Sequence, residues 1–230
     1  MATHTRDRRA RVEEMRRAQA HAERRKTFGF IAVAVVVGLV LVAIPVAQVI
    51  LKARNDPARK PLSAFGVAPA AAACSPVESP AVTAAGLHIG PGTNQPTKTR
   101  ARYSTVPPTS GEHYNLTAAL GRKFFAPNDG PKMEELVHNL EHGYTVLWYD
   151  DTVRGAQLET LRDLLARVTR DSPKFVVAPW DPSYGQFPAR KHIGLATWGH
   201  KQLCGQLSGE VVGAFVKRFP PSQAPEPGGA

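Results

Sequence analysis

Cysteine is scarce in this chain: only two of the 230 residues are cysteines, and they do not form a Cys-x-x-Cys redox pair. So few cysteines exclude a disulfide-dense miniprotein, and ordinary glycine and proline contents exclude a collagen-like chain. The sequence also lacks a Gly-rich phosphate loop, a Gly-x-Ser-x-Gly element and an internal repeat. Sequence evidence for nucleotide binding or serine-hydrolase chemistry is therefore missing.

Charge is absent over residues 28–51, where Gln48 is the one strongly polar side chain. As a helix, these 24 residues extend about 36 Å, which is enough to cross the hydrocarbon core of a bilayer. A cleavable signal peptide has an apolar core of roughly 7–15 residues. The length therefore predicts a transmembrane helix that acts as an uncleaved signal-anchor.

The net charge of +10 is concentrated around this apolar segment. Residues 1–27 carry nine basic and four acidic side chains, and residues 52–60 add four basic and one acidic. The larger positive charge before the span predicts a cytoplasmic N-terminus and an extracytoplasmic C-terminal domain at the cell membrane, although the basic residues after the span oppose this orientation. No aromatic residues interleave the N-terminal charges, so we expect a membrane and not a nucleic acid as partner.

Composition divides the rest of the chain into three parts. Residues 52–86 are rich in Pro, Ala and Ser and read as a linker, residues 87–219 as one domain, and residues 220–230 as a disordered tail. Cys74 and Cys204 lie near the two ends of the domain, which predicts an intramolecular disulfide in an oxidising compartment. The alternative is that His200 and Cys204 bind a metal, if they lie on one helical face.

Hydrophobic periodicity predicts a mixture of helices and strands in the domain. Helices are expected over residues 131–142, 154–170 and 210–219, and strands over residues 144–149, 175–178 and 193–197. The sequence predicts no regular element over residues 86–130. The alternation favours an α/β or α+β fold, a single small mixed domain of about 135–145 residues after the one transmembrane helix.

Two histidine motifs are the strongest chemical signal. The first, Pro-Pro-Thr-Ser-Gly-Glu-His, ends at His113 and predicts a turn that presents this imidazole. The second, His-Asn-Leu-Glu-His-Gly, places His138 and His142 one turn apart on a helix, with Glu141 beside them. Two imidazoles at this spacing can chelate one ion, and a carboxylate can ligate it or orient them. His88 is a fourth ligand with less support.

These motifs carry a family resemblance. The string PPTSGEH, followed 25 residues later by HNLEHG and a hydrophobic strand, resembles the bacterial family catalogued as domain of unknown function 3105, often membrane-anchored proteins of actinobacteria. The similarity spans about residues 74–219. It implies no reaction. Its hallmark positions correspond here to Pro107, Pro108, Thr109, Ser110, Gly111, His113, His138, Asn139, Glu141, His142 and Gly143.

Three functions remain compatible with the sequence, and the first is favoured. It is a non-catalytic domain that binds zinc or copper through His113, His138 and His142, with Glu141 as a ligand or an orienting group. The second is a cell-envelope interaction or scaffold protein without metal. The third is a metal-dependent hydrolase in which Glu141 is the general base of a His-x-x-Glu-His motif and Glu159 or Glu210 completes the site. The sequence thus favours a protein that is not an enzyme.

Overall fold

A computed structural model describes residues 2–229 of the chain, and its contacts divide the chain after Asn55 into two compact units. The first unit is helix α1, Ala2–Asn55, which contains Pro45 without a break. Its Glu23–Asn55 part is long and apolar enough to cross a membrane, and none of its apolar window is buried. The predicted span, residues 28–51, lies within this part.

The second unit begins at Asp56 and contains all the strands of the described chain. Its elements are β1 (His88–Ile89), β2 (His113–Tyr114), α2 (Met133–Glu141), β3 (Thr145–Tyr149), α3 (Ala156–Asp171), β4 (Phe175–Pro179), β5 (Ile193–Thr197), β6 (His200–Cys204) and α4 (Gly209–Arg218). Short 3-10 helices occupy Pro57–Arg59, Leu62–Ala64, Pro69–Ala71, Pro182–Tyr184 and Pro221–Gln223.

Four strands form the main sheet in the order β4-β3-β5-β6. Strands β3 and β4 are parallel and are joined through α3, whereas β5 runs antiparallel to both β3 and β6. The strands β1 and β2 form a separate parallel pair that aligns His88 with His113. The main sheet thus supports the domain, and the small pair positions two histidines.

The sheet separates two hydrophobic cores because successive strand residues point to opposite faces. Leu147 and Tyr149 of β3 face the core formed with α3 and α4, while Val146 and Trp148 face the core formed with α2. The helices supply apolar residues at helical spacing, such as Leu161, Leu164 and Val168 of α3. This arrangement confirms the prediction of a mixed helix and sheet domain.

The sequence predicts α2, α3, α4, β3, β4 and β5 within two residues at most of their bounds. It misses β6, because the polar residues His200, Lys201 and Gln202 obscure the alternation of apolar side chains. The alternative metal pair His200 and Cys204 is wrong, because the two residues lie at opposite ends of β6 and Cys204 pairs with Cys74. His200 instead accepts or donates a hydrogen bond with Ser79 at 2.8 Å.

Residues 56–86, which we call the N-terminal strap, differ from the linker that their composition predicts. Phe65 and Ala72 of the strap are buried in the domain. The strap covers the outer edge of the sheet through backbone hydrogen bonds such as Ser75 N–H to Leu203 O, 2.8 Å. Cys74 and Cys204 lie at disulfide distance, with sulfurs 2.04 Å apart. Edge pairing requires no hydrophobic periodicity, so the sequence pattern does not reveal it.

Candidate metal centre

The small parallel pair brings His88 and His113 to one end of α2. Their Cα atoms are register partners, and their rings meet edge to face with centroids 4.9 Å apart. The side chain of His113 is fully buried, and its Nδ1 lies 2.7 Å from the carbonyl oxygen of Gly111. Because a carbonyl can only accept, Nδ1 carries the proton and Nε2 faces the opposite way with a lone pair.

Helix α2 contributes His138 and Glu141 to the same point. These residues are three apart, so a single turn of helix aims both side chains to one side. The ring centroid of His138 lies 4.8 Å from that of His113 and 5.0 Å from that of His88. One ligand atom from each of His88, His113, His138 and Glu141 lies within 4.8 Å of the other three. We call these four residues the His3Glu cluster.

Four polar atoms of the cluster are buried and unpartnered. They are His88 Nε2, His113 Nε2, His138 Nδ1 and Glu141 Oε2, none of which has a hydrogen-bond partner within residues 2–229. Burying such atoms without partners costs free energy, so their convergence requires an explanation. Imidazole nitrogens and a carboxylate oxygen are the atoms that bind borderline transition metals.

Two of these unpartnered atoms, one on His113 and one on Glu141, lie within hydrogen-bond distance of each other. Nε2 of His113 and Oε2 of Glu141 are 3.0 Å apart. With the imidazole proton on Nδ1, two electron-rich acceptors face each other in a buried site. A cation between them, or a second proton on the imidazole, removes the repulsion. These two possibilities make opposite predictions for Glu141→Gln, which are taken up in the Discussion.

The second oxygen of Glu141 is hydrogen-bonded to the strap. Oε1 accepts the Gly86 backbone N–H at 2.8 Å, which fixes the carboxylate next to the start of β1. Burial by itself raises the pKa of Glu141, but a hydrogen bond from Nε2 of His113, once that imidazole carries a second proton, and the Gly86 N–H outweigh it and hold the pKa below its ordinary value. The carboxylate is therefore ionised at neutral pH.

His142 is not part of the cluster. It occupies the cap position after α2, and it is not among the four residues whose ligand atoms converge. Its Nδ1–H donates to the carbonyl oxygen of Glu226 at 3.1 Å, and its ring stacks on His138 with centroids 4.6 Å apart. The structure thus brings together three of the four residues predicted as ligands, His113, His138 and Glu141, and joins to them His88, which had less support in the sequence.

Two further residues of the histidine motifs support the cluster from outside it. The hydroxyl of Ser110 accepts the Thr83 N–H at 3.0 Å and so anchors the strap beside His113. The side-chain oxygen of Asn139 accepts the Ala118 N–H at 3.0 Å. The sequence does not predict that the Gly86 N–H binds Glu141 or that the Gly111 carbonyl binds His113. The available sequence signal is a glycine close to each of His88 and His113. Glu159 and Glu210 lie on α3 and α4, which pack on the other face of the sheet.

His138 gives the metal-free protein a pH-dependent stability. Burial chiefly, and then the charges of His113, His142 and His88, lower the pKa of His138 from 6.5 to about 4. The unfolded chain therefore binds more protons than the folded chain between pH 6.5 and 4. Stability is lost as the pH falls through this window, by about 1–3 kcal/mol for this group.

Thermal unfolding of the chelator-treated protein at pH 7, 5.5 and 4.5 measures this loss. In His138→Gln the titrating group is removed, so the decrease should be smaller than in the wild type. An equal decrease in both proteins would show that other groups cause it.

Fold and site together define a small mixed α/β domain, joined to a helix of membrane-spanning length, that buries a histidine and carboxylate cluster. The chain belongs to the family described as "Protein of unknown function (DUF3105)", whose model matches residues 94–230. The match begins after His88 and extends through the segment predicted to be a disordered tail, so it is shifted from the expected range of residues 74–219. Neither a curated protein nor a solved structure matches the chain.

Proposed function

We propose that this protein is a single-pass, membrane-anchored domain that binds one zinc or copper ion without catalysis, through the His3Glu cluster. Two observations carry the proposal: the four residues of the cluster each place a ligand atom within 4.8 Å of the others, and each of them also has a buried polar atom without a hydrogen-bond partner among the described residues. Ligand atoms of a tetrahedral zinc site lie about 3.4 Å apart, so modest side-chain movement is sufficient. Three imidazoles and a carboxylate, with no sulfur, suit zinc(II) and copper(II).

The domain is placed outside the cytoplasm in this proposal. Nine basic residues precede the apolar segment, and four follow it closely, which favours a cytoplasmic N-terminus. The pairing of Cys74 with Cys204 suits an oxidising compartment. Metal captured there would come from the extracytoplasmic medium.

The position of Glu141 supports the proposal that the site is not catalytic. In the His-x-x-Glu-His pattern both histidines bind zinc and the glutamate is free to act as a base. Here His142 lies outside the cluster, and Glu141 points one oxygen into it and the other at Gly86. Four protein ligands also leave no coordination position for a water or a substrate, as expected of a closed site.

The test compares two histidines one turn apart on the same segment. The full-length chain in detergent micelles is dialysed with Zn²⁺ or Cu²⁺, and bound metal is measured by elemental analysis. We expect about one ion per chain in the wild type and in His142→Gln, and less than about a tenth of that in His138→Gln.

An absence of metal in the wild type, or equal retention in His138→Gln, would contradict the proposal. That result would favour the second function, a cell-envelope interaction or scaffold protein. In such a protein, His113 and Glu141, 3.0 Å apart, form a buried ion pair instead of a metal site.

A further inference from the structure

The segment after α4 returns to the end of α2 instead of extending into solvent. We call residues 221–229 the C-terminal latch. The Glu226 N–H donates to the Glu141 carbonyl oxygen at 3.1 Å, and the Glu226 carbonyl oxygen accepts the Nδ1–H of His142. Two backbone hydrogen-bonding groups of one latch residue thus hold Glu141 of the cluster and His142 beside it.

Lys174 fastens the latch to the domain. Its ammonium donates to the carbonyl oxygens of His142, Pro227 and Gly229 at 2.9, 2.9 and 2.8 Å. The first acceptor belongs to the cap residue after α2, and the other two belong to the latch. One side chain therefore ties both parts together, and these charge-assisted bonds are stronger than bonds between neutral groups.

Two glycines permit the close approach of the latch. A Cβ atom on Gly229 would lie 1.5 Å from Nδ1 of His142, and one on Gly143 would lie 2.7 Å from the Pro221 carbonyl oxygen. Gly143 also has φ of +83°, a conformation that strongly favours glycine. The backbone of the latch consequently packs directly on the His142 ring and on the turn after it.

The contacts form a continuous path from the surface to the cluster. The latch contacts His142, the His142 ring stacks on His138, and His138 belongs to the cluster. The latch lacks large apolar side chains, and Glu226 leaves 58% of its side chain exposed. A segment held by polar contacts opens at a lower free energy than a packed core does.

We propose that the C-terminal latch closes the metal site and controls the rate at which the ion leaves it, with Lys174 as its fastening residue. This inference rests on the proposed function. Opening the latch frees the His142 ring, which allows His138 to rotate away from the ion. The latch therefore acts on exchange and not on the number of ions bound.

The test measures release of Zn²⁺ from the full-length chain in detergent into an excess of a colorimetric chelator. Lys174→Met removes three hydrogen bonds and should accelerate release about tenfold or more, with metal content at equilibrium unchanged. Lys123→Met is the matched control, because Lys123 donates to the carbonyl of Pro173, next in sequence to Lys174, and not to the latch. It should release zinc at the wild-type rate.

A second pair of variants changes only the latch, so it does not depend on the folding of Lys174→Met. Glu226→Pro removes the N–H that bonds to Glu141 and should also accelerate release, whereas Glu226→Gln keeps it and should not. If both Lys174→Met and Glu226→Pro release zinc at the wild-type rate, the latch proposal is wrong and the proposed metal binding stands. A wild type that holds no zinc would overturn the latch and the proposed function together.

Discussion

Glu141→Gln is expected to lower the affinity for zinc by about 100-fold or more and, in the metal-free protein, to raise the free energy of unfolding by about 1 kcal/mol. The two effects have opposite signs because the carboxylate suits a cation and not an imidazole lone pair. Removing the negative charge weakens the bond to a metal ion. In the absence of metal, it relieves the buried contact with His113.

The stabilisation depends on the atoms that face each other. Nδ1 of His113 donates to Gly111, so Nε2 has a lone pair 3.0 Å from Oε2 of Glu141. An amide at position 141 can donate its N–H to that lone pair, while its oxygen continues to accept the Gly86 N–H. The contact between two acceptors, His113 Nε2 and Glu141 Oε2, is thereby replaced by a hydrogen bond.

The measurements are zinc affinity by competition with a chelator and thermal unfolding after metal removal. Glu135→Gln is a suitable control, since it makes the same change in α2, and an amide oxygen can still accept the Lys132 N–H that Glu135 caps. It should alter neither property appreciably. If instead Glu141→Gln destabilised the metal-free protein by about 3–5 kcal/mol, His113 and Glu141 would be a buried ion pair.

Local patterns identify most of the fold and part of the site. Leucines at helical spacing define α3, and the β-branched and aromatic run of residues 145–149 defines β3. The motifs that contain His113, His138 and Glu141 likewise indicate a metal site. In each case the residues that interact are close in sequence, or their chemistry is recognisable in a short segment.

The remaining parts depend on contacts distant in sequence. His88 reaches the cluster because β1 pairs with β2, and neither two-residue strand has a periodicity that could be detected. His142 is at the correct spacing for a ligand and stacks on His138, but its Nδ1 is bonded to the carbonyl oxygen of Glu226, 84 residues further along the chain. The latch is similar, because its low-complexity composition does not reveal that Lys174 holds it.

Removing the disulfide by the double change Cys74→Ala and Cys204→Ala is expected to lower the free energy of unfolding by about 2–5 kcal/mol. The bond joins residues 130 apart, so in the oxidised protein it greatly restricts the unfolded chain. For a domain of this size the midpoint of thermal unfolding should fall by roughly 5–15 °C. Wild-type protein treated with reductant should show a comparable decrease.

Metal content distinguishes a general loss of stability from damage to the site. The Thr83 N–H bonds to Ser110, and the Gly86 N–H bonds to Glu141, so the strap stays attached near His88 when the disulfide is gone. The folded double variant should therefore still bind about one zinc ion per chain. Loss of zinc at a temperature where the variant is folded would show that the disulfide positions His88, and unchanged unfolding would show that the two thiols are not joined.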